Sequence, residues 1–178
     1  MPGLTLRLST KTKKNNLMTS CSKIQETMLH MPDYKKSVCF SNQECFIGYV
    51  SYTEYPIDCF SVSNTQMYVE GKIYNKTSKI VKEFLISISK DMSKNPEAIP
   101  ARVKNWTLET DGEYVIVIYD EEAKNLLVFT DPLGRLPLYY YQSDIQLILS
   151  RECKFTSWYL LNDAQSLAAW AHNLWLGW

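Results

Sequence analysis

The sequence predicts an antiparallel α+β domain, and two observations support that prediction. Segments rich in β-branched and aromatic residues are joined mostly by short polar turns, which is typical of antiparallel strands. Amphipathic segments with helical spacing lie between them, so that strands are followed by helices and then by strands again. The 178 residues are 46% hydrophobic and 21% charged, as expected of a folded domain with its own core.

Charge and cysteine content argue against several classes of protein. The formal net charge is +0, so no overall field would attract nucleic acid or an anionic membrane. No apolar run is long enough to span a bilayer and the start does not resemble a signal peptide, so we expect a cytoplasmic protein. The five cysteines are odd in number and lack Cys-x-x-Cys spacing, which predicts neither a zinc site nor a disulfide framework.

The first part of the chain shows strand patterns around one short helix. Gly3 to Ser9 alternates apolar and polar residues and predicts a half-buried strand. Ser22 to Leu29 predicts a short helix that ends before Pro32, because proline disfavours helix in the residue before it. Further strands are expected at 38–40, 45–52 and 66–74.

Two helices are expected in the middle of the chain. Apolar residues recur at helical spacing between Thr77 and Ser89, and Thr77 or Ser78 can cap this helix. A second helix begins at Pro96, where proline is tolerated in the first position, and reaches about Leu108. Pro100 fits this second helix poorly, because proline lacks the N–H that a helix interior needs.

The second half opens with the clearest strand pattern. Residues 111–120 are β-branched and aromatic and predict a strand that is buried on both faces. The polar residues 120–125 predict a hairpin loop that leads to a returning strand at 126–129. Asp-Pro-Leu-Gly at 131–134 predicts a turn, since proline fixes φ and glycine can take φ > 0. Two further strands at 138–141 and 145–149 and a helix at 163–175 complete the prediction.

Two motifs in the second half are more specific than the strands and turns that they predict. Residues 111–114 read Asp-Gly-Glu-Tyr, and residues 131–140 read Asp-Pro-Leu-Gly-Arg-Leu-Pro-Leu-Tyr-Tyr. They resemble the Asp-Gly-x-Phe-Ala and Arg-Asp-x-x-Gly-x-x-Pro-Leu-Tyr-Tyr motifs of the N-terminal domain of asparagine synthetases, with Thr130 in place of the usual Arg. That domain is a class II glutamine amidotransferase. The resemblance therefore implies the N-terminal-nucleophile hydrolase fold, an αββα sandwich of two antiparallel sheets flanked by helices.

Other landmarks extend the resemblance to most of the chain. Residues 70–75, Glu-Gly-Lys-Ile-Tyr-Asn, are similar to the family's Asn-Gly-Glu-Ile-Tyr-Asn, and residues 152–154, Glu-Cys-Lys, are similar to its Glu-x-Lys. The first residues, Met-Pro-Gly-Leu, stand where the family has Met-Cys-Gly-Ile. The resemblance implies an amidotransferase-like domain at 1–157 and, at 158–178, a linker helix toward an absent or separate synthetase domain.

The resemblance also identifies missing catalytic groups. In the family the thiol of an N-terminal Cys attacks the glutamine amide, and its α-amine acts as the base. Pro2 stands in that position, so we expect no active catalytic residue. The oxyanion hole of the family uses an Asn side chain and the next Gly N–H. Gly71 is retained, but Glu70 replaces the Asn, and a carboxylate repels a developing oxyanion.

The groups that hold the substrate, and other possible nucleophiles, are equally doubtful. The family's substrate Arg is expected near residues 48–51, yet residues 43–60 contain no Arg, and Asp91 is the nearest candidate for its substrate Asp by spacing alone. Internal cleavage could expose Cys21 as a new N-terminus, but a small buried or loop cysteine is the simpler interpretation. His30 and His172 lie in no recognisable catalytic motif.

The resemblance implies a partner as well. The family's second half is an ATP-dependent synthetase domain with a Ser-Gly-Gly-x-Asp-Ser loop, which this sequence lacks. ATP and Mg would therefore belong to another domain or subunit, and we expect the helix at 163–178 to contact it. No cofactor or metal is expected in this chain. We predict a degenerate domain that docks to a synthetase, as in β-lactam synthetases and lasso-peptide cyclases. An active glutamine-dependent unit and a non-catalytic ligand-binding domain remain as alternatives.

Overall fold

The computed structural model describes residues 2–9 and 17–162, which form nine strands and four α-helices. The strands are β1 Gly3–Ser9, β2 Lys35–Ser41, β3 Cys45–Ser51, β4 Ile57–Val62, β5 Thr65–Ile73, β6 Gly112–Asp120, β7 Leu126–Thr130, β8 Tyr139–Ser143 and β9 Gln146–Ser150. The helices are α1 Leu17–Gln25, α2 Ser78–Lys94, α3 Ile99–Leu108 and α4 Cys153–Asn162. All the strand pairs are antiparallel, which confirms the α+β prediction with two antiparallel sheets.

The chain divides into two compact units, and the first is built on a five-stranded sheet. Its strand order is β2-β3-β1-β9-β8, and Thr5 in the central strand lies opposite Gly48 on one side and Ser150 on the other. Helices α1 and α4 pack on one face of this sheet, because both present apolar side chains to alternate strand residues. The buried cluster is Leu17, Cys21, Ile24, Met28, Phe46, Val50, Tyr141, Ile148, Phe155 and Tyr159.

The second unit is built on a four-stranded sheet of order β4-β5-β6-β7, with α2 and α3 packed on one face. Thr77 caps α2 by accepting a hydrogen bond from the N–H of Ile80 at 3.4 Å, as the sequence predicts. Residues 114–119 of β6 are all 0% exposed, which confirms the expectation of burial on both faces. The buried cluster is Met67, Val81, Leu85, Ile88, Met92, Ile99, Val103, Trp106, Tyr114, Ile116 and Ile118.

Several elements differ from their predicted bounds. Helix α1 begins at Leu17 and ends at Gln25, earlier than the predicted helix from Ser22, and a 3-10 turn follows it. The helix expected from Pro96 is two elements, a 3-10 turn and then α3, so that Pro100 occupies the tolerant first turn of α3. Strand β4 was not predicted, and helix α4 begins at Cys153, before the linker helix expected at 158–178. The helix expected at 163–175 lies outside the described residues.

The state of the cysteines differs from the expectation. Cys39 and Cys59 are disulfide-bonded, whereas Cys21, Cys45 and Cys153 are free thiols. The prediction excluded a disulfide framework, and an odd number of cysteines excludes complete pairing but not the pairing of some of them. Within residues 2–9 and 17–162, no group of three or more His, Cys, Asp or Glu residues could hold a metal ion. No helix in this part of the chain is long and apolar enough to cross a membrane.

Tyr114 links the stability of the second unit to pH. Burial raises the pKa of Tyr114 to about 12, and the negative charge of Asp131 adds to this effect. Between about pH 10, where an unfolded tyrosine titrates, and pH 12, the unfolded chain loses a proton that the folded chain keeps. The contribution of Tyr114 to the free energy of unfolding is therefore fully present below about pH 10 and is lost as the pH rises to about 12.

We expect this loss to be about 2–3 kcal/mol, and replacing Tyr114 with phenylalanine should remove it. Urea unfolding of the wild type and of Tyr114→Phe between pH 9 and 12 measures the difference. The comparison with the variant is necessary because burial also raises the pKa of Tyr159. Parallel pH profiles for the two proteins would contradict the assignment.

Candidate functional site

Strand β5 carries Glu70 and Gly71, the two residues that the resemblance assigns to the family's oxyanion hole. Glu70 lies opposite Ile57 of β4 and Val115 of β6, inside the four-stranded sheet. Its side chain is fully buried, and the hydroxyl of Tyr68 donates a hydrogen bond to its Oε2 at 2.8 Å. Tyr68 precedes Glu70 by two residues, so strand alternation places both side chains on one face. The strand thus holds a carboxyl group in a buried position beside a phenol.

Gly71 is a backbone position that only glycine fits. Its φ is +96°, a conformation that residues with a Cβ rarely adopt. A Cβ placed there would lie 2.0 Å from the carbonyl oxygen of Glu113 and 2.9 Å from Cδ1 of Leu136. The N–H of Gly71 donates a hydrogen bond to the carbonyl of Pro56 at 2.8 Å. The N–H that the resemblance assigns to the oxyanion hole is therefore already bonded within the protein.

The Asp-Pro-Leu-Gly segment forms the predicted turn and is held by its own aspartate. The Asp131 carboxylate is 3% exposed and accepts hydrogen bonds from the N–H of Leu133 at 3.0 Å and of Arg135 at 3.1 Å. Gly134 has a φ of 58°. The Arg135 guanidinium donates to the carbonyl of Gly112 at 3.2 Å. The motif that carries the strongest resemblance thus ties the turn to the start of β6.

Pro2 lies directly before β1 in the first unit, and it is half-buried. Proline has no side-chain atom that could attack an amide. Two residues further, the carbonyl of Leu4 accepts a hydrogen bond from the N–H of Arg151 at 3.0 Å. The guanidinium of Arg151 donates to the carbonyl of Pro137, and the residue is only 3% exposed. The sequence analysis missed this buried cation, although it directly precedes the Glu-Cys-Lys landmark.

The other candidate catalytic residues have structural partners. Cys21 lies inside α1, fully buried, with its Sγ 3.2 Å from the hydroxyl of Tyr159. Burial raises the pKa of the Cys21 thiol, which disfavours the nucleophilic thiolate. His30 Nε2 lies 2.6 Å from a carboxylate oxygen of Glu152. Cys21 and His30 thus have different partners and do not form a pair of nucleophile and base. His172 lies outside the described residues.

Asp91, the candidate for binding substrate, is part of a contact between helices. It lies on α2 and forms an ion pair with Arg102 of α3. The Arg102 guanidinium also donates to the hydroxyl of Ser87 at 2.8 Å, so it is held on the surface of α2. This arrangement joins two helices of the second unit and gives Asp91 a structural role.

Together these features define an α+β domain in which a buried carboxyl group and a tightly packed glycine lie side by side in β5. A family model for a glutamine amidotransferase domain matches residues 56–156, which is more than half of the chain. This chain belongs to that glutamine amidotransferase domain family. The matched residues contain Glu70, Gly71 and the turn at Asp131. No curated protein matches the chain.

Proposed function

We propose that this chain is a degenerate glutamine amidotransferase domain of the asparagine-synthetase type that has lost glutaminase activity. Its role is that of a structural or docking module for an ATP-dependent synthetase that forms amide bonds. The observation that carries the proposal is the loss of both oxyanion donors. Glu70 presents an acceptor in place of an amide N–H, and the Gly71 N–H already donates to Pro56.

The size of these losses supports the absence of turnover. Attack on an amide carbonyl develops negative charge on its oxygen, and losing one oxyanion donor lowers the rate by about 10²–10³. A carboxylate at that position adds repulsion that is poorly screened in a buried environment. Pro2, which stands in the family's nucleophile position by resemblance, supplies no thiol that could attack the amide.

The partner, cofactor and location follow from the same proposal. In this proposal ATP and Mg are bound by the synthetase, through the Ser-Gly-Gly-x-Asp-Ser loop that cradles pyrophosphate in that family. The segment at 163–178, with its three tryptophans, is the expected contact with the synthetase. The proposal includes a domain boundary at 157 and a cytoplasmic location. A reading frame directly downstream that encodes such a loop would support the pairing. Its product should then co-purify with the full chain and not with a chain ending at 162.

A glutaminase assay tests the loss of activity. We expect no glutamate release from glutamine above the uncatalysed background, for the wild type and for Pro2→Cys, since the thiol alone leaves Glu70 in place. The double variant Pro2→Cys/Glu70→Asn should stay at background, because the Gly71 N–H remains bonded to Pro56. Glutamate is measured by coupling to glutamate dehydrogenase. Wild-type turnover that disappears when Pro2 is replaced would favour the alternative of an active amidotransferase.

A further inference from the structure

Strand β7 forms one edge of the four-stranded sheet, and its hydrogen bonds show which backbone groups face outward. Just beyond its ends, the N–H of Asp131 donates to Tyr114 at 3.2 Å, and the N–H of Asp120 donates to Asn125 at 2.9 Å. Both bonds belong to one antiparallel register, in which hydrogen-bonded pairs alternate with non-bonded pairs. The register therefore determines, for every residue of β7, whether its backbone N–H and C=O groups face β6 or face away from the sheet.

In that register Leu127 and Phe129 exchange hydrogen bonds with β6. The N–H and C=O groups of Leu126, Val128 and Thr130 consequently point away from the sheet. Within the described part of the chain no backbone partner exists for these outward groups. The edge offers a regular row of donors and acceptors at a spacing that only another strand can match.

The two edges of this sheet differ in how they resist pairing. The opposite edge strand, β4, carries Asp58, whose carboxylate forms an ion pair with Lys82 of α2 at 2.8 Å. Charges of this kind discourage the approach of a further strand. The sequence of β7, Leu-Leu-Val-Phe-Thr, contains no charge, no proline and no bulge in its register. The second unit thus protects one edge and leaves the other suited to pairing.

We propose that β7 pairs with β7 of a second copy of this chain, antiparallel about a two-fold axis at Val128. In this register Leu126 lies opposite Thr130 of the second copy, and each Val128 lies opposite its counterpart. Every outward N–H then meets a C=O, because antiparallel pairing about a two-fold axis is self-complementary. The result is one continuous sheet with β4 at both ends.

The side chains fit a second copy of the chain. Leu127 lies directly opposite Phe129 of the second copy, and both are partly buried residues at the margin of the second unit's core. An aliphatic side chain beside an aromatic one is a favourable cross-strand pair, and no like charges face each other. Pro132 lacks an N–H and the 121–125 loop ends the strand on the other side. Pairing is therefore limited to five residues, which favours a closed dimer over an extended fibre.

The test compares Val128→Pro with Val128→Thr in the full chain. Proline removes an outward N–H, which leaves the bonds to β6 intact, and proline is tolerated on edge strands. Threonine keeps both the N–H and the branched shape. Sedimentation velocity over a range of concentrations should show dimers for the wild type and for Val128→Thr. The Val128→Pro variant should have a dissociation constant about 30-fold higher or more.

A wild type that stays monomeric, or a Val128→Pro variant that dimerises like the wild type, would overturn the proposal. Hydrogen exchange of the wild type provides a second readout if Val128→Pro fails to fold. The amides of Leu126, Val128 and Thr130 should exchange more slowly as the protein concentration rises, whereas those of Leu127 and Phe129 should be protected throughout. Exchange of the three outward amides that does not change with concentration would also overturn it.

Discussion

Replacing Gly71 with valine should lower the unfolding free energy by about 3 kcal/mol or more, because two separate penalties combine. The position has a φ of +96°, which a β-branched residue adopts only with strain. The new Cβ would also lie 2.0 Å from the carbonyl oxygen of Glu113, which is a backbone atom. No change of side-chain rotamer relieves that collision, so β5 and β6 must separate locally.

Two further variants show which penalty dominates. Gly71→Ala introduces the same Cβ and should already produce most of the loss, since the collision does not depend on branching. Gly134→Asn is the matched control, because its φ of 58° lies in the left-handed region that asparagine tolerates. We expect it to change stability by less than about 1 kcal/mol. Urea unfolding of the three variants gives the comparison, and a Gly71→Val protein as stable as the wild type would show that the strands are not this close.

This prediction also bears on why the glycine is present. In an active amidotransferase the glycine N–H donates to the oxyanion, but here that N–H is bonded to the carbonyl of Pro56. The close approach of Glu113 supplies a reason for glycine that is independent of catalysis. Packing against Glu113 would therefore require glycine at position 71 whether or not the domain hydrolyses glutamine.

Local patterns predicted the elements whose formation depends on local chemistry. Strand β6 was recognisable because its β-branched and aromatic run is typical of a strand buried on both faces. Helix α2 was recognisable from its apolar stripe and from Thr77 at its N-terminus, and the turn at Asp131 from its proline and glycine. The position of Glu70 within a strand followed from the same reasoning, since the strand predicted at 66–74 is β5.

Elements that depend on distant partners were missed. Strand β4 has only six residues, includes Asp58 and Ser61, and becomes a strand by pairing along β5. The first residues of helix α4 were missed, and this helix is fixed through Phe155 and Tyr159, which enter the core of the first unit. The bond from Gly71 to Pro56 joins residues far apart in sequence. No local pattern contains these pairings, so the decisive feature of the candidate site was visible only in the structure.

Replacing Trp106 with alanine should be comparably damaging, at about 3–5 kcal/mol, because this indole joins three elements of the second unit. It stacks on Phe84 of α2 with ring centroids 4.5 Å apart, and it meets Tyr114 of β6 and Phe129 of β7 edge-on at 5.7 and 6.0 Å. Only 7% of the residue is exposed, so alanine leaves a cavity that these rings cannot fill.

The controls separate packing from polarity. The indole Nε1 has no hydrogen-bond partner within the described residues, so its removal breaks no hydrogen bond and the loss should come from packing. Trp106→Phe should therefore recover more than half of the stability lost in Trp106→Ala, whereas Trp158→Ala, at a position 43% exposed, should cost less than about 1.5 kcal/mol. Chemical unfolding followed by far-UV circular dichroism measures all three. Equal losses for the Trp106→Ala and Trp158→Ala variants would mean that the indole of Trp106 does not organise this core. The support that Trp106 gives Phe129, and through it the inner side of β7, would then be absent too.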